Sequence, residues 1–500
     1  MSEERKTIYL CLAHMSEAGL EQKYIKEAFD TNWVVPMGPN VNAFEKDLAD
    51  FINSKHRCSN DCEPNAATGT PAEPNANSCG NGCTSNSAAA GSIAGSGKGF
   101  DKGSGEGYCG GGCEPLDRKV VCLSAGTAAV HLALIGCGVG PGDEVCVQSF
   151  TFCASSHPIT YLGARPIFIG SEADTWNMDP DLLEKAILER KAVTGRYPKA
   201  IIPVALYGMP YRIDRIMEIA SRYNIPVIED AAEGMGSRFD GQVLGTFGKY
   251  GVLSFNGNKM ITTSGGGALI CRNAEDANEV MWYATQARDA YPYYQHTAIG
   301  YNYRMSNVCA GIGRGQMTVL DSHIAHHRHV QALYEELLVD VPGITIHKQP
   351  ADGRYESNFW LCAATIDPDV KVVGQENAYK EVIKSAVGGA AGVIHAVDSA
   401  VTDCQPNANV EALRVFMLAK KVECRPLWKP MHKQPIYSNG AELREVSGVQ
   451  MVQEGPNMVV YTNGVEEDLF KVGFCLPAGP YVTDDDVRYI VNCLKEAIIR

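Results

Sequence analysis

From Lys119 onward the chain alternates short, almost wholly apolar runs with segments of helical period, and this alternation narrows the possible architectures most. Lys119–Leu123, Val145–Gln148, Pro166–Ile169, Ala200–Val204, Pro226–Ile228 and Gly251–Phe255 read as strands, with helical patterns such as Pro180–Lys191 and Tyr211–Tyr223 between them. Strands this apolar cannot leave one face in water, so helices must cover both faces of a mainly parallel sheet. The expected class is α/β, with ligands bound beyond the carboxyl ends of the strands. A helical stretch from about Ser306 to Leu338 then leads into a smaller α+β lobe, to which Lys371–Asn409 and Glu442–Met458 are also assigned. The N-terminal part carries two helical patterns, Glu21–Phe29 and Val41–Ile52, around the turn Val35-Pro-Met-Gly-Pro39.

Three chemically marked segments fall just after strand-like runs. Ser124-Ala-Gly126-Thr127-Ala128-Ala129 turns into the helical pattern beginning at Val130, an arrangement that offers free backbone N–H groups and a positive dipole end to a phosphate. Asp230 closes the run Ile225-Pro-Val-Ile228, and Glu233 follows it by three residues. Lys259 ends Ser254-Phe-Asn-Gly-Asn-Lys259 and precedes the glycine-rich Ser264-Gly-Gly-Gly267. An isolated lysine is ordinarily a solvated surface group. Set between strands, with a carboxylate and a phosphate turn in the same chain, it is a candidate amine nucleophile. Pyridoxal phosphate chemistry needs this combination: a lysine to hold the aldehyde and a carboxylate to keep the ring nitrogen protonated.

Composition excludes several classes. A formal charge of -14 is the wrong sign for a nucleic-acid surface, which needs a basic stripe. No run of 18 apolar residues exists, so no membrane span is expected. Met1–Lys6 contains acidic residues and leads into no apolar leader, so a cytoplasmic location is expected. Of 18 cysteines, twelve are scattered through apolar or helical stretches and read as small buried hydrophobes. The other six form three C-x-x-x-C pairs: Cys58/Cys62, Cys79/Cys83 and Cys109/Cys113. Cys58–Cys113 contains 13 glycines in 56 residues and, of Ile, Leu and Val, only Ile93, too little apolar surface to offset its ordering entropy. It reads as a flexible loop, with metal binding by the three pairs as the alternative. His323, His326 and His327 share a helix face at a spacing that also suits a metal, but a solvated face rich in His, Arg and Gln explains them, and no metal site is assigned.

The motifs Gly126-Thr-Ala-Ala-Val-His-Leu-Ala-Leu134, Ser149-Phe-Thr-Phe152, Glu229-Asp-Ala-Ala-Glu233, Ser254–Lys259, Gly300-Tyr-Asn-Tyr-Arg-Met-Ser306, Arg425-Pro-Leu-Trp-Lys-Pro-Met-His432 and Leu476-Pro-Ala-Gly479 occur in one order. In that order the chain resembles the DegT/DnrJ/EryC1/StrS sugar aminotransferases over Ile8–His56, Lys119 to about Asp367, and Glu423 to the C-terminus. The resemblance implies a fold type I pyridoxal-phosphate transferase. Its expected parts are an N-terminal segment (1–57) of the large domain, the insertion (58–118), the large cofactor domain (119–325), and a connecting helix with the small domain (326–500). It implies that Lys259 holds the cofactor and moves protons, that Asp230 pairs the ring nitrogen, and that Thr127, Ala128 and Ser254 hold the phosphate. Phe152 falls where an aromatic stacks on the ring. Glu233 falls near the phenolic oxygen, where many members have Gln or His; a carboxylate there requires a shared proton or has a different role. Asn302 matches a segment that reaches the neighbouring subunit's phosphate, which implies a homodimer with shared active sites. The nucleotide sugar is expected to meet Pro36, Gly38, His296, Trp428, Lys429 and His432, with glutamate as amino donor. The Asn256-Gly-Asn258 spacing, and Thr285–Arg288 ahead of Tyr293–His296, most resemble members acting on UDP-linked 4-keto-6-deoxy-N-acetylhexosamines; GDP-linked and 3-keto sugars stay open. Two alternatives are a pyridoxamine-phosphate sugar dehydratase, which Lys259 opposes because such relatives carry histidine there, and a non-catalytic binding protein on the same fold.

Overall fold

The computed structural model describes residues 5–54, 116–379, 404–438, 442–446 and 450–499. By internal contact the chain divides into Met1–His56 with Pro115–Arg500, and Arg57–Glu114. The expectations for the cysteine pairs and most of Lys371–Asn409 lie outside the described residues.

In chain order the first unit contains α1 (Leu20–Asp30), α2 (Pro39–Ser54), β1 (Lys119–Leu123), α3 (Gly126–Gly136), β2 (Glu144–Gln148), β3 (Arg165–Ile169), α4 (Pro180–Thr194), β4 (Ala200–Ile202), α5 (Ile213–Tyr223), β5 (Ile228–Asp230), β6 (Tyr250–Ser254), β7 (Gly267–Cys271), α6 (Asn307–Met317) and α7 (Leu320–Leu337). There follow β8 (Ile344–Ile346), β9 (Cys362–Ile366), α8 (Ala408–Ala419), β10 (Arg425–Pro426), β11 (Glu442–Val446), β12 (Gln450–Gly455), β13 (Met458–Thr462), β14 (Gly473–Leu476) and α9 (Asp484–Ala497).

The main sheet runs β3-β2-β4-β5-β6-β7-β1, with parallel bridges Ile201↔Val227 and Val204↔Asp230 joining its β4 and β5 halves. Its neighbours pair in parallel except at β7, which is antiparallel to both β6 and β1. Alternate residues of one strand enter different cores: Val120 and Cys122 face one, Val121 and Leu123 the other. Both faces are therefore buried, which is why these strands carry no polar side. A second, antiparallel sheet, β8-β9-β14-β10, has its own core with α7, α8 and α9.

Two expectations are corrected. The helical stretch Ser306–Leu338 is two helices, broken at Thr318-Val319. Gly313 and Gly315 let α6 lie against Phe44 and the Glu21 backbone, where an added Cβ would stand 2.5 and 2.7 Å from its neighbours. Gln316, fully buried, bonds the His14 carbonyl and Glu21. These contacts pin the end of α6, and α7 departs on the path its own core requires. Second, Glu442–Met458 does not join the smaller lobe's sheet. β11 and β12 form a meander with β13, whose Val459–Tyr461 pairs in parallel with Ile167–Ile169 and extends the main sheet beyond β3. A strand buried throughout, such as Met458–Thr462, satisfies either sheet by pattern, and only three-dimensional pairing chooses between them.

Nine of the twelve scattered cysteines are buried, as expected. The histidine face of α7 is not solvated: His323 and His327 are buried, and His323, His326 and His327 each bond a different backbone carbonyl, of Met260, Val482 and Phe359. They serve as struts between α7 and its neighbours, and no cluster suited to a metal occurs among the described residues.

Candidate active site

The three marked segments lie on adjoining parts of the sheet's carboxyl edge. Asp230 is the last residue of β5, Ser254 the last of β6, and Thr127 and Ala128 lie in the first turn of α3, which follows β1. Asp230 is 5% exposed, and burial raises its carboxyl above the usual range against the pull of its hydrogen bonds and of Lys259. Ser155 Oγ donates to Oδ2 at 2.6 Å and Ala232 N to Oδ1 at 3.1 Å. No Arg or Lys forms an ion pair with this carboxylate among the described residues, so it has lone pairs and unmet charge for a cationic N–H donor.

Ala125 caps α3 without a side-chain bond, and the N–H groups of Gly126, Thr127 and Ala128 have no acceptor among the described residues. Gly126 packs so closely on Ser254 that a Cβ there would sit 3.1 Å from the Ser254 Cβ. The site thus holds free amide donors at a helix start beside a serine hydroxyl, a fit for a phosphate. With the buried carboxylate and the lysine, the residues present fit pyridoxal phosphate.

Lys259 Nζ lies 3.5 Å from Glu233 Oε1, and its side chain is only 12% exposed. Glu233 Oε2 accepts the Tyr207 N–H at 2.8 Å. Burial raises the Glu233 carboxyl, opposed by Lys259, which favours a proton shared at this position. Phe152 is half exposed, and its ring centroid is 5.3 Å from that of Trp428, whose backbone N–H donates to Tyr207 Oη at 2.8 Å.

The remaining candidates divide. Gly38 (φ 137) lies against the Asn307 side chain, which holds the N-terminal turn through the Trp33 carbonyl and the Asn40 N–H; Pro36 is exposed in the same turn. Lys429 is partly exposed beside Trp428. His432 is fully buried: Ser149 Oγ lies 2.6 Å from its Nδ1 and Glu467 Oε1 3.0 Å from its Nε2, so the ring braces the Ser149 turn instead of opening to solvent. His296 is exposed, 2.9 Å from the Gln286 carbonyl, beside an open depression lined by Trp282, Arg288, Tyr291 and Thr297. Asn302 is exposed, while the neighbouring Tyr303 carbonyl receives the N–H of Ser124 in the phosphate turn at 2.7 Å.

Sequence reasoning missed Ser155, Tyr207, Asn358 and Trp360. Ser155 closes the one-turn helix after Phe152 and was legible as a hydroxyl near the ring-binding motif. Tyr207 adopts φ 53, a left-handed conformation rare outside glycine, and leaves no mark in the sequence. Asn358 and Trp360 lie on an irregular strap before β9, where no periodicity exists to read.

A profile of the DegT/DnrJ/EryC1/StrS aminotransferase family matches residues 116–390. EpsN of Bacillus subtilis (strain 168) is 35% identical over 489 residues, covering 98% of this chain and 95% of that one. The GDP-perosamine synthase of Escherichia coli O157:H7 is 31% identical over 374 residues, covering 75% and 84%. Among solved structures, the aminotransferase TlmJ from Streptoalloteichus hindustanus shares the fold with a TM-score of 0.67 at 20% identity, over 98% of each chain. The fold, the family match and the fit of the site agree: the chain is an enzyme belonging to the DegT/DnrJ/EryC1/StrS aminotransferase family.

Proposed function

We propose that this enzyme uses pyridoxal phosphate to move the amino group of glutamate onto a nucleotide-linked keto sugar, in cytoplasmic amino-sugar and polysaccharide biosynthesis. The observation that carries the reading is the set of Lys259, Asp230 and the uncapped start of α3 along the carboxyl edge of one sheet. Bound there, pyridoxal phosphate supplies an aldehyde that condenses with amines and a ring that stores electrons. Lys259 Nζ holds the aldehyde and, when free of it, carries the proton to and from the reacting carbons. The Asp230 carboxylate keeps the proton on the ring nitrogen, with Ser155 Oγ fixing its orientation. The α3 amides, Thr127 and Ser254 hold the phosphate. Phe152, whose ring packs against Trp428, stacks on the cofactor ring. Glu233, anchored by the Tyr207 N–H, shares a proton with its neighbours across Oε1.

For the substrate, the Asn256–Asn258 and Thr285–His296 segments support a UDP-linked 4-keto-6-deoxy-N-acetylhexosamine met by Trp428, Lys429 and the Pro36–Gly38 turn. The second reading, a GDP-linked sugar, is favoured by the likeness to GDP-perosamine synthases. The working unit is a homodimer in which Asn302 of each chain completes the other's phosphate site. The test is to supply glutamate with UDP-, GDP- and dTDP-linked 4-keto sugars in turn and follow 2-oxoglutarate release. The UDP-linked N-acetyl sugar is expected to react fastest, and adding pyridoxal phosphate to be accompanied by a visible absorption band that Lys259→Ala lacks. A protein that gives neither band nor amino transfer overturns the reading; preference for the GDP sugar selects the second one.

A further inference from the structure

The Lys259 amine has an uncharged neighbour beside its charged ones. Its Nζ lies 4.1 Å from the centroid of the Trp360 ring. Trp360 is 1% exposed, and its Nε1 donates at 2.6 Å to the carbonyl of Asn258, the residue immediately before the lysine. One indole therefore grips the Lys259 turn twice, by its face at the amine and by its edge at the peptide. We propose that Trp360 is a positioning residue for Lys259, holding the free ammonium on its π face and fixing the turn that aims it. The proposal rests on the reading of Lys259 as the reactive amine.

The grip is built from several elements. Trp360 follows Phe359, whose φ of 48 places it in the left-handed region, a conformation that persists only where surroundings enforce it. The enforcement is visible. His327 Nδ1 lies 3.1 Å from the Phe359 carbonyl, and Asn358 Oδ1 accepts the Trp360 N–H at 2.8 Å. Asn358 Nδ2 donates to the carbonyls of Glu233 and Met235, each at 2.9 Å, and Asn358 N donates to Ser237 Oγ. The strap that carries Trp360 is thus tied to the loop that carries Glu233, so the lysine's aromatic and carboxyl neighbours move as one body.

The titratable groups facing Lys259 are Glu233 at 3.5 Å, Asp230, and the Cys11 thiol, which burial pushes up to about 12 and so keeps inert. A further carboxylate would compete for the proton that Lys259 must carry. An aromatic face attracts the cation strongly in a dry site yet accepts no proton and sets no single direction. Nζ can then be released by one partner and taken up by another without leaving its station.

The experiment is reductive methylation of the cofactor-free protein by formaldehyde and a borohydride reagent at one fixed pH, with the rate at each lysine read by peptide mass spectrometry. In Trp360→Leu the rate at Lys259 is expected to rise about five- to thirtyfold, the factor a desolvated cation–π contact commands. Trp360→Phe, which keeps a face, should stay within about threefold of the parent. A polyfluorinated tryptophan placed at position 360 keeps the shape and the N–H but drains the ring, and should raise the rate at Lys259 in step with fluorination. It also decides the matter should the leucine variant fail to fold. Lys249, whose Nζ donates to the Gly136 carbonyl, is the internal reference and should keep its parent rate throughout. An unchanged Lys259 rate in the fluorinated protein, or an equal rise at Lys249, overturns the proposal. The reading of the site fails separately, if pyridoxal phosphate does not protect Lys259 of the parent protein, and the comparison at position 360 is unaffected by that result.

Discussion

Replacing Gly267 by alanine should loosen the phosphate grip without changing any residue assigned to the cofactor. Gly267 opens β7 and pairs with Leu123 on one side and Ser254 on the other, between the strands that lead into the site. A Cβ there would stand 2.4 Å from Gly126 N, 2.5 Å from Ala125 C and 2.8 Å from Ala125 O. All three are backbone atoms, so no side-chain rotation can relieve the clash. Restoring ordinary contact requires the start of α3 to withdraw by about 1 Å. Overpacking of this kind costs about 1–3 kcal/mol of stability. The larger effect falls on binding, because a withdrawal of that size breaks hydrogen bonds of about 2.9 Å, and those to a charged group are worth about 1.5–3 kcal/mol each. Losing two weakens pyridoxal phosphate binding by on the order of a hundredfold or more. The assay is absorbance titration of cofactor-free protein beside denaturant unfolding of the same samples. Gly265→Ala is the control, since a Cβ there meets nothing within 4 Å, and it should change stability by less than about 0.5 kcal/mol. A Gly267→Ala protein that binds the cofactor like the parent would refute the assignment of the α3 amides as its grip.

Lys259→Ala should lose amino transfer while keeping the fold, read by circular dichroism, and turnover near the parent rate would remove it from the chemistry. Asp230→Asn keeps one acceptor oxygen, enough for the Ala232 N–H, and puts an N–H donor toward Ser155 Oγ, and it loses the charge, so the rate should fall by several orders of magnitude; a mild loss would mean another carboxylate holds the ring nitrogen. His327 is fully buried, and burial holds its pKa down to about 3 against 6.5 in the unfolded chain. Below about pH 6.5 the unfolded chain therefore binds a proton that the folded one refuses, and stability falls with acidification down to about pH 3, by up to about 1.4 kcal/mol per pH unit. Denaturant midpoints at pH 7 and 5 should show a shallower dependence in His327→Leu, and equal slopes would contradict the assignment. For the shared site, mixed dimers of Lys259→Ala with Asn302→Ala chains should contain one intact site if Asn302 acts on the partner, and should exceed either parent variant. An inactive mixture with heterodimers present, and Asn302→Ala itself inactive, would assign Asn302 to its own chain's site.

Much of the candidate site was legible because its residues are local in sequence. Asp230 ends a run of apolar residues, Thr127 opens a helix after another, and Lys259 stands in a polar turn after a third; each is positioned by its own strand, so reading the strands located the groups. The doubly buried strands also announced the sheet, since only helices on both faces explain Lys119–Leu123 and Tyr250–Ser254 without a polar side. What escaped depends on contacts between segments far apart in the chain. Periodicity states that Met458–Thr462 is a buried strand but not which edge it joins, and that α7 carries histidines on one face but not that this face meets the Met260, Val482 and Phe359 carbonyls. The same holds within the site. That Lys259 meets Trp360, 101 positions later, and that Tyr207 bends into a left-handed turn to hold Glu233, follow from packing enforced by many small contacts at once. The sequence alone determined which strands, turns and reactive groups exist, because local pattern and chemistry specify them. Tertiary structure alone decided which distant side chains hold those groups, because burial and backbone strain are settled only when the whole core closes.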